Sequence, residues 1–429
     1  MKKCIIIGGG FAGLSAGVYL SNANFQVEIL EASPKLGGRA FSFTESHTKT
    51  VIDNGQHILM GCYIETLDFF KTIQADNNLI FQKRLKVCLL KENFEEHFLK
   101  AFPLPYPFDL LFGLLNYSAI PFADRIKIIK LFLKLFFKHQ GELNSLSIYD
   151  WLVKENQNEN TIETLWKILA VGVLNTNMHK ASAKIFVDVL KKIFFNGKKS
   201  SIIIIPKYGL SETYCTSAKE YIESCGGNIN LTEEVKELIV DNEKIKTIKT
   251  NKRSLNNFDY IISSVPQYAL SKILPHGYNF YELYFEYSSI LSVHIWLREN
   301  PLEHDFYGLI KSPVQWIFNN GSHITLVISD ANKYADYTKE EIITLAVSEL
   351  DKYMHIKKRN ITFHKIIREK RATFIPTNEI INNRPKVETP ISNLLLAGDW
   401  TDTGLPSTIE SAVKSGKRAA EKIMSYESV

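Results

Sequence analysis

The most constraining feature of this chain is its first unit: a strand, a glycine turn, a helix and a second strand that ends in an acid. The apolar run Ile5-Ile6-Ile7 leads into Gly8-Gly9-Gly10-Phe11-Ala12-Gly13, and the second strand runs from Val27 to Glu31. In such a unit Gly8 permits the turn, Gly10 admits a pyrophosphate and Gly13 lets the helix pack on the strand. The helix N-terminus attracts phosphate charge, and Glu31 is spaced to accept hydrogen bonds from a ribose. The sequence therefore predicts an α/β fold with a Rossmann-like, dinucleotide-binding domain.

A second glycine pair next to an arginine follows this unit and favours FAD over NAD. Ala32 begins the segment that leads to Gly37-Gly38-Arg39. The glycines allow another close approach of the backbone to a phosphate, and Arg39 supplies a countercharge. Placed just after the acid, these three residues resemble the GGR signature of the amine oxidase and phytoene desaturase flavoprotein superfamily. The sequence carries no second glycine fingerprint for a nicotinamide cofactor.

Composition excludes several classes of protein. The 429 residues suffice for two or three domains, and 45% hydrophobic with 23% charged residues is ordinary for a globular protein. A net charge of +5 without a basic-aromatic recognition motif argues against nucleic acid as a partner. The five cysteines form no CxxC pair, which predicts a reduced cytosolic protein without a metal site. Glycines interrupt the apolar N-terminus, so we expect no signal peptide, and no apolar run is long enough to span a bilayer.

The nucleotide-binding domain is predicted to be discontinuous. Its expected pieces are residues 1–60, 200–270 and 385–429, because strand patterns and glycine turns occur in each. The segments 61–199 and 271–384 are richer in aromatic and long aliphatic residues. We expect these two segments to form an inserted α+β substrate domain.

The C-terminal piece carries a second set of cofactor signals. A predicted strand, Asn393 to Ala397, is followed by Gly398-Asp399-Trp400 and a long helix. Ser407 and Glu410 fit a capping box, with Ser407 as the N-cap. The N-terminus of this helix is a natural site for negative charge that develops on a flavin carbonyl. Asp399, at the strand end, is expected to accept hydrogen bonds from the ribityl chain of FAD.

Residues 101–140 are predicted to contact a membrane surface. One helix face there carries four lysines at helical spacing: Lys127, Lys130, Lys134 and Lys138. The other faces of this helix are mainly isoleucine, leucine and phenylalanine. A basic amphipathic helix with phenylalanines suits an interfacial position on anionic lipid. The stretch from Lys191 to Lys199 is also basic and apolar and is expected to extend this surface.

Three further stretches point to a narrower family. They are Val51 to His57, with the motif DNGQH, Lys370 to Phe374, and Leu396 to Glu410, with the motif GDWTDTGLPSTIE. Together they resemble the hydroxysqualene dehydroxylases, the squalene-associated, FAD-dependent branch of the amine oxidase and phytoene desaturase superfamily. The resemblance runs over essentially the whole chain. It implies a discontinuous FAD-binding domain with an inserted substrate domain of the same type.

The resemblance also implies a reductive reaction on a long isoprenoid. Hydroxysqualene would lose its allylic hydroxyl group with help from an acid and accept a hydride from reduced flavin, in a dry apolar pocket. His57 is the first candidate for the acid, since histidine titrates near neutral pH and Gly55 lets its loop approach the flavin. Asp402 is the weaker candidate, Asp53 is expected to orient the loop, and Arg371 is expected to form a structural salt bridge. Electrons must then come from an external donor.

The predicted site residues fall into two sets. The catalytic set is His57 and Asp402. The predicted FAD contacts come from the glycine loops, the DNGQH loop, a hairpin that begins at Val235 and the C-terminal motif: Gly8, Gly10, Phe11, Ala12, Gly13, Glu31, Ala32, Gly38, Arg39, Gly55, Gln56, His57, Val235, Gly398, Asp399, Thr408 and Ile409.

Other functions remain open at this point. An oxidative desaturase of the carotenoid or phytoene type would use the same fold and a similar apolar tunnel. A flavin-dependent polyene isomerase would leave the substrate mass unchanged. An amine oxidase is less favoured, because no acidic and aromatic cage for an ammonium group is identifiable. Cysteine usage and the predicted basic helix favour a cytoplasmic protein that is peripheral on the inner face of the cytoplasmic membrane.

Overall fold

The computed structural model describes residues 1–137, 143–275, 277–278 and 284–427. The strands are β1 (Lys3–Ile7), β2 (Gln26–Leu30), β3 (Ser42–Thr44), β4 (Val51–Asp53), β5 (Leu59–Met60), β6 (Leu79–Phe81), β7 (Lys86–Lys91), β8 (Glu95–Lys100), β9 (Ile203–Pro206), β10 (Asn228–Asn230), β11 (Val235–Asp241), β12 (Lys244–Thr250), β13 (Ser254–Leu255), β14 (Tyr260–Ser263), β15 (Tyr287–Leu297), β16 (Phe306–Leu309), β17 (Trp316–Asn319), β18 (Ile324–Ile328), β19 (Ile361–Phe374) and β20 (Leu394–Leu396).

The helices are distributed between and after these strands. They are α1 (Phe11–Asn22), α2 (Ile64–Thr72), α3 (Phe108–Leu115), α4 (Phe122–Phe137), α5 (Ile148–Lys154), α6 (Glu159–Thr161), α7 (Lys167–Leu174), α8 (Ala183–Phe194), α9 (Thr216–Ser224), α10 (Gln267–Ile273), α11 (Lys339–Met354), α12 (Asn378–Asn383) and α13 (Ile409–Glu427). A π-helical turn, Ile162–Trp166, joins α6 to α7.

A five-stranded parallel sheet carries the nucleotide-binding fingerprint. Its order is β10-β2-β1-β14-β20, and every neighbouring pair is parallel. Consecutive residues of β1 point to opposite faces, yet Ile5 and Ile6 are both fully buried. Ile6 packs with helices α1, α9 and α13, whereas Ile5 packs with the β11–β12 hairpin and α10. Cover on both faces explains the unbroken apolar runs, and it confirms the predicted α/β class with a Rossmann-like sheet.

A larger mixed sheet forms the other half of the molecule. Its order is β19-β15-β18-β17-β16-β7-β8. On one face, Leu291 and Val293 of β15 pack against helix α11. On the other face, Trp316 and Val327 pack with helices α4 to α8. The antiparallel pair β17–β18 is joined by a hairpin turn between Asn319 and Ser322. The division of the chain into two domains remains a prediction.

No helix within the described ranges is long and apolar enough to cross a membrane.

Candidate cofactor and active site

The glycine loop after β1 is built around close backbone packing. Gly8 has a positive φ of 105°, and its N–H donates to the carbonyl of Leu30 at 2.8 Å. A Cβ atom on Gly13 would lie 2.0 Å from the carbonyl oxygen of Gly8. The first turn of α1 therefore sits on the end of β1, and only glycine permits that approach.

Gly10 is different, because the protein's own packing does not require a glycine there. Gly10 precedes α1 without a side-chain cap. A Cβ atom at this position would meet nothing closer than the Cα of Gly38, at 3.7 Å. By helix geometry, the N–H groups of Phe11 and Ala12 point out of the same end of α1. A phosphate in contact with these donors needs the space that a side chain at position 10 would occupy, so this cradle fits the pyrophosphate of FAD.

Glu31 lies at the end of β2 and faces this loop. Its Oε2 accepts a hydrogen bond from the N–H of Gly9 at 2.6 Å, and its Oε1 accepts one from the N–H of Ser33 at 2.8 Å. Each carboxylate oxygen keeps a second lone pair, so both can still accept from a ribose hydroxyl. Ala32 continues the turn beyond Glu31. Val235 is buried in the core cluster that contains Leu30, close to this end of the sheet.

The second glycine pair lies against the first loop. The N–H of Gly37 donates to the carbonyl of Gly9 at 2.9 Å. Arg39 then reaches across the site, where Nη1 donates to the carbonyl of Ala372 at 2.9 Å and Nη2 contacts Oδ1 of Asp399 at 2.5 Å. Burial lowers the pKa of Arg39, but the charge and the hydrogen bond of Asp399, together with the nearby tyrosines, outweigh burial, and the net pKa is raised. The expectation is that Arg39 supplies a countercharge to a phosphate; in this structure Asp399 already balances its charge.

The C-terminal motif places Asp399 and the start of α13. Asp399 is buried, and its Oδ2 accepts from the hydroxyl of Ser407. Gly398 has a φ of 133°, which lets the chain turn from β20 into this loop. The fully buried Arg384 side chain holds the loop, with Nη1 donating to the carbonyls of Asp399 at 3.2 Å and Leu405 at 2.8 Å.

The predicted capping box at α13 is wrong. The hydroxyl of Thr408, not Ser407, accepts the cap hydrogen bond, from the N–H of Ser411 at 3.2 Å. Ser407 instead binds Asp399, and the Glu410 carboxylate accepts from α2, from the N–H of Thr66 at 2.9 Å. The start of α13, with Thr408 and Ile409, still lies directly after the Asp399 loop. Its first-turn N–H groups can stabilise negative charge there.

The DNGQH loop connects the two glycine loops to the large sheet. Asn54 donates to the carbonyl of Arg39 at 2.8 Å and accepts from the N–H of Phe41 at 3.0 Å. A Cβ atom on Gly55 would lie 3.7 Å from the His57 ring and 3.8 Å from Oγ of Ser292 on β15. Sequence reasoning missed Asn54 and Ser292. Asn54 belongs to the motif itself, whereas Ser292 carries no local signal.

His57 is held in one tautomer. Its Nδ1 lies 2.7 Å from the carbonyl oxygen of Gly55, so Nδ1 carries a proton and Nε2 has the free lone pair. Burial lowers the pKa of His57 despite the opposing charge of Asp53. This shift favours the neutral imidazole, and the role of His57 as the acid stays a prediction. Asp53 accepts from Ser42 at 2.7 Å and from the N–H of Leu210 at 2.9 Å, and burial raises its pKa.

Asp402 lies on the solvent side of its loop. Its side chain is 50% exposed, and its Oδ1 is 4.0 Å from Nη2 of Arg384. The carbonyl of Asp402 accepts from Arg418 at 2.8 Å. This position corrects the expectation of an acid inside the pocket. The other weaker expectation is a salt bridge at Arg371. Within the described ranges Arg371 forms no ion pair, and its guanidinium lies 4.2 Å from the centre of the Tyr268 ring.

The face of the large sheet that meets the DNGQH loop carries unpaired polar atoms. Among the described residues, the hydroxyls of Ser288 and Ser292 and Nε2 of His294 are buried without a hydrogen-bond partner. The three residues alternate along β15 and therefore share one face. Buried polar groups without partners are costly, and a bound group that supplied them would relieve that cost.

A second group of potential ligands lies elsewhere in the large sheet. Cys88, Glu96 and His304 bring potential metal-ligand atoms within 4.8 Å of one another. Burial, together with the charge of Glu96, raises the pKa of the Cys88 thiol to about 12.

The two glycine loops and the parallel sheet together define a dinucleotide-binding flavoprotein. The seven-stranded mixed sheet, with its apolar packing, forms the other half of the molecule. The family model of flavin containing amine oxidoreductases matches residues 11–424, and the chain belongs to this family. It is an FAD-dependent oxidoreductase.

Two named relatives span nearly the whole chain. A hydroxysqualene dehydroxylase of Zymomonas mobilis is 27% identical over 435 residues, with 99% of this chain and 100% of the relative covered. A 15-cis-phytoene desaturase of Synechococcus elongatus is 22% identical, with 98% and 96% covered. The solved structure of putrescine oxidase bound to putrescine has a TM-score of 0.71 at 14% identity, with 99% of both chains covered, and it supports the fold.

Proposed function

We propose that this protein is an FAD-dependent enzyme that converts hydroxysqualene to squalene by reductive dehydroxylation. The observation that carries the proposal is similarity to a hydroxysqualene dehydroxylase over 99% of this chain and 100% of the relative. The motifs DNGQH and GDWTDTGLPSTIE support it, because their residues surround the proposed cofactor groove. Two ties support that arrangement: Asn54 joins the DNGQH loop to Arg39, and Arg39 is paired with Asp399.

The proposed cofactor residues follow the two glycine loops and the C-terminal motif. Gly10, Gly38 and the start of α1 would hold the pyrophosphate, Glu31 the ribose, and Asp399 the ribityl chain. Thr408 and Ile409 would place the N-terminus of α13 near the flavin carbonyls. The bound cofactor supplies a hydride in its reduced form. Since one dinucleotide fingerprint is present, we propose that an external donor provides the electrons.

The substrate reaction requires a proton as well as a hydride. The allylic hydroxyl must be protonated before the carbon–oxygen bond breaks, because hydroxide is a poor leaving group. Water then departs, and the hydride adds to the allylic cation to give squalene. His57 is the proposed proton donor through Nε2, because Nδ1–H remains bound to the carbonyl of Gly55. A lowered pKa makes the protonated imidazole a stronger acid but a rarer species at neutral pH.

The proposed substrate surface is the face of the large sheet that meets helices α5 to α8. Trp316, Phe318 and Val327 belong to one apolar cluster with these helices. An apolar wall suits a long isoprenoid and keeps water away from an allylic cation. A Cβ atom on Gly55 would lie within 4 Å of both Ser292 and His57, so the polar end of the substrate would be placed beside these two residues.

A peripheral contact with a membrane remains part of the proposal. Five phenylalanines of α3 and α4 are exposed: Phe108, Phe112, Phe122, Phe136 and Phe137. The lysine face is weaker than expected, because Lys127 pairs with Asp124 at 2.9 Å and Lys134 pairs with Glu155 at 2.5 Å. Lys138 lies outside the described residues. The exposed rings therefore support the proposal more than the lysines do.

Oxidative desaturation is the second candidate. Similarity to a 15-cis-phytoene desaturase over 98% of this chain favours it, although at 22% identity. A desaturase would remove hydrogen from a polyene with oxidised flavin, so the two candidates differ in the direction of electron flow.

A comparison of two incubations tests the proposal. Dithionite-reduced holoprotein is offered hydroxysqualene without oxygen, and oxidised holoprotein is offered phytoene with a quinone acceptor. We expect squalene in the first incubation and unchanged phytoene in the second. Unchanged hydroxysqualene together with dehydrogenated phytoene would move the assignment to a desaturase.

A further inference from the structure

The charged side chains identified so far in the cofactor groove do not neutralise the negative charge of a dinucleotide. The pyrophosphate of FAD carries about two negative charges at neutral pH. Arg39 is the cation nearest to the glycine loops in sequence, but Asp399 is within 2.5 Å of it and cancels its charge. Glu31 adds a further carboxylate at the same groove. A second cation close to Arg39 would therefore strengthen binding of the pyrophosphate.

Arg371 is adjacent in sequence to a residue that Arg39 contacts. The residue after it, Ala372, accepts the hydrogen bond from Nη1 of Arg39 at 2.9 Å. Among the described residues the Arg371 guanidinium has no carboxylate within ion-pair distance. It lies instead over the ring of Tyr268, at 4.2 Å from the ring centre.

Two tyrosines link this guanidinium to the cofactor groove. The rings of Tyr268 and Tyr287 meet edge to face, with their centres 5.8 Å apart. Burial raises the pKa of Tyr287, and the charges of Asp399, Arg39 and Arg371 also act on its hydroxyl. The same phenol is therefore influenced by Asp399, Arg39 and Arg371, and its ring is in contact with Tyr268. Tyr268 follows Pro266 at the start of α10, directly after β14 of the parallel sheet.

We propose that Arg371, held flat on Tyr268, is the second cation that binds the pyrophosphate of FAD. The inference rests on the proposed placement of FAD between the two glycine loops. A guanidinium can donate two parallel hydrogen bonds to phosphate oxygens, and stacking on an aromatic ring fixes its plane. The Arg371 side chain is exposed, so its guanidinium N–H groups are accessible to a phosphate. Its neighbour Lys370 is also exposed and carries the same charge, so it makes a matched control.

Binding of FAD and of riboflavin to the full chain, stripped of flavin, tests this role. Riboflavin has the same ring system but no phosphate. We expect Arg371→Gln to weaken FAD binding by about 10- to 100-fold, the effect of losing hydrogen bonds to a charged group. Riboflavin binding should change less than about twofold, and Arg371→Lys should restore part of the FAD affinity. Lys370→Gln should bind both flavins as the wild type does.

Two results would overturn the proposal. The first is an FAD affinity of Arg371→Gln that equals that of Lys370→Gln. The second is an equal loss of FAD and riboflavin affinity, which would assign Arg371 to the flavin ring or to the fold. Thermal melting of each stripped variant identifies unfolding, and Tyr268→Phe should keep wild-type FAD affinity because its ring can still stack. None of these measurements involves hydroxysqualene, so they fail or succeed independently of the proposed reaction.

Discussion

The five-stranded parallel sheet and the seven-stranded mixed sheet place their functional residues in different ways. In the parallel sheet, backbone turns do this work: Gly8 and Gly13 pack strand against helix, and Glu31 is held by the N–H groups of Gly9 and Ser33. In the mixed sheet, residues distant in sequence meet across strands, as Ser292 meets the loop of Gly55. A site formed by local backbone turns leaves a short motif in the sequence, whereas a site formed by tertiary packing does not.

Gly10 and Gly13 of the loop after β1 give the sharpest test of the site that backbone turns form. Gly13→Ala should prevent correct folding, because its Cβ would lie 2.0 Å from the carbonyl of Gly8. Gly10→Ala should fold normally, since its Cβ has 3.7 Å of clearance, but bind FAD at least about tenfold more weakly. Thermal melting of the stripped proteins and flavin titration measure the two effects. A Gly10→Ala protein with normal FAD affinity would contradict the assignment of the cradle.

Replacement of His57 tests the junction between the two sheets. His57→Gln should keep its flavin and lose about 100- to 10,000-fold in turnover, the usual contribution of a general acid. Burial lowers the pKa of His57 below its usual 6.5, so its protonated fraction grows only as the pH falls below that value. Wild-type single-turnover rates should therefore rise from pH 7.5 to pH 5.5. Rates of His57→Gln should be low at every pH, and a wild-type rate independent of pH would exclude His57 as the acid.

Buried histidines make the mixed sheet sensitive to acid. Burial lowers the pKa of His294 to about 3 and that of His323 to about 4. The unfolded chain binds protons below about pH 6.5 while the folded chain does not, so stability falls as the pH falls through this range. Each histidine should cost about 2 kcal/mol of unfolding free energy at pH 5. Urea unfolding at pH 7.5 and pH 5 measures the difference.

Matched variants separate this effect from general acid instability. The pH difference in the unfolding free energy should be about 2 kcal/mol smaller in His323→Asn than in the wild type. His364→Asn, which replaces an exposed histidine, is the control. An unchanged difference in His323→Asn would show that other groups cause the acid sensitivity.

Replacement of the exposed phenylalanine rings of α4 should have the smallest effect, compared with the changes at the glycines, at His57 and at the buried histidines. Replacement of Phe136 and Phe137 by serine should weaken binding to anionic liposomes by about tenfold and leave flavin content unchanged. Ile64→Ser alters an exposed apolar side chain of α2 and should have no effect on sedimentation. Equal liposome binding by all three proteins would reject the α4 surface.

The sequence predicted the parts of the molecule that depend on local backbone geometry. The β1–α1–β2 unit and the strand before Gly398 are confirmed by the structure. Ser407 was assigned to the wrong partner, because its hydroxyl binds Asp399 instead of capping α13.

Contacts between residues distant in sequence could not be predicted from local sequence patterns. The ion pair between Arg39 and Asp399 joins residues that are 360 positions apart. The exposure of Asp402 and the stacking of Arg371 on Tyr268 likewise follow from tertiary packing, which no motif encodes. Burial also set the pKa of His57, and burial of a loop residue cannot be read from its neighbours in sequence.

Single-turnover stoichiometry tests the central claim most directly. Reduced holoprotein is mixed with hydroxysqualene without oxygen, and flavin absorbance and product mass are followed in the same sample. The account predicts one squalene formed for each flavin oxidised, with loss of one oxygen from the substrate. Flavin that stays reduced while hydroxysqualene remains unchanged would contradict it.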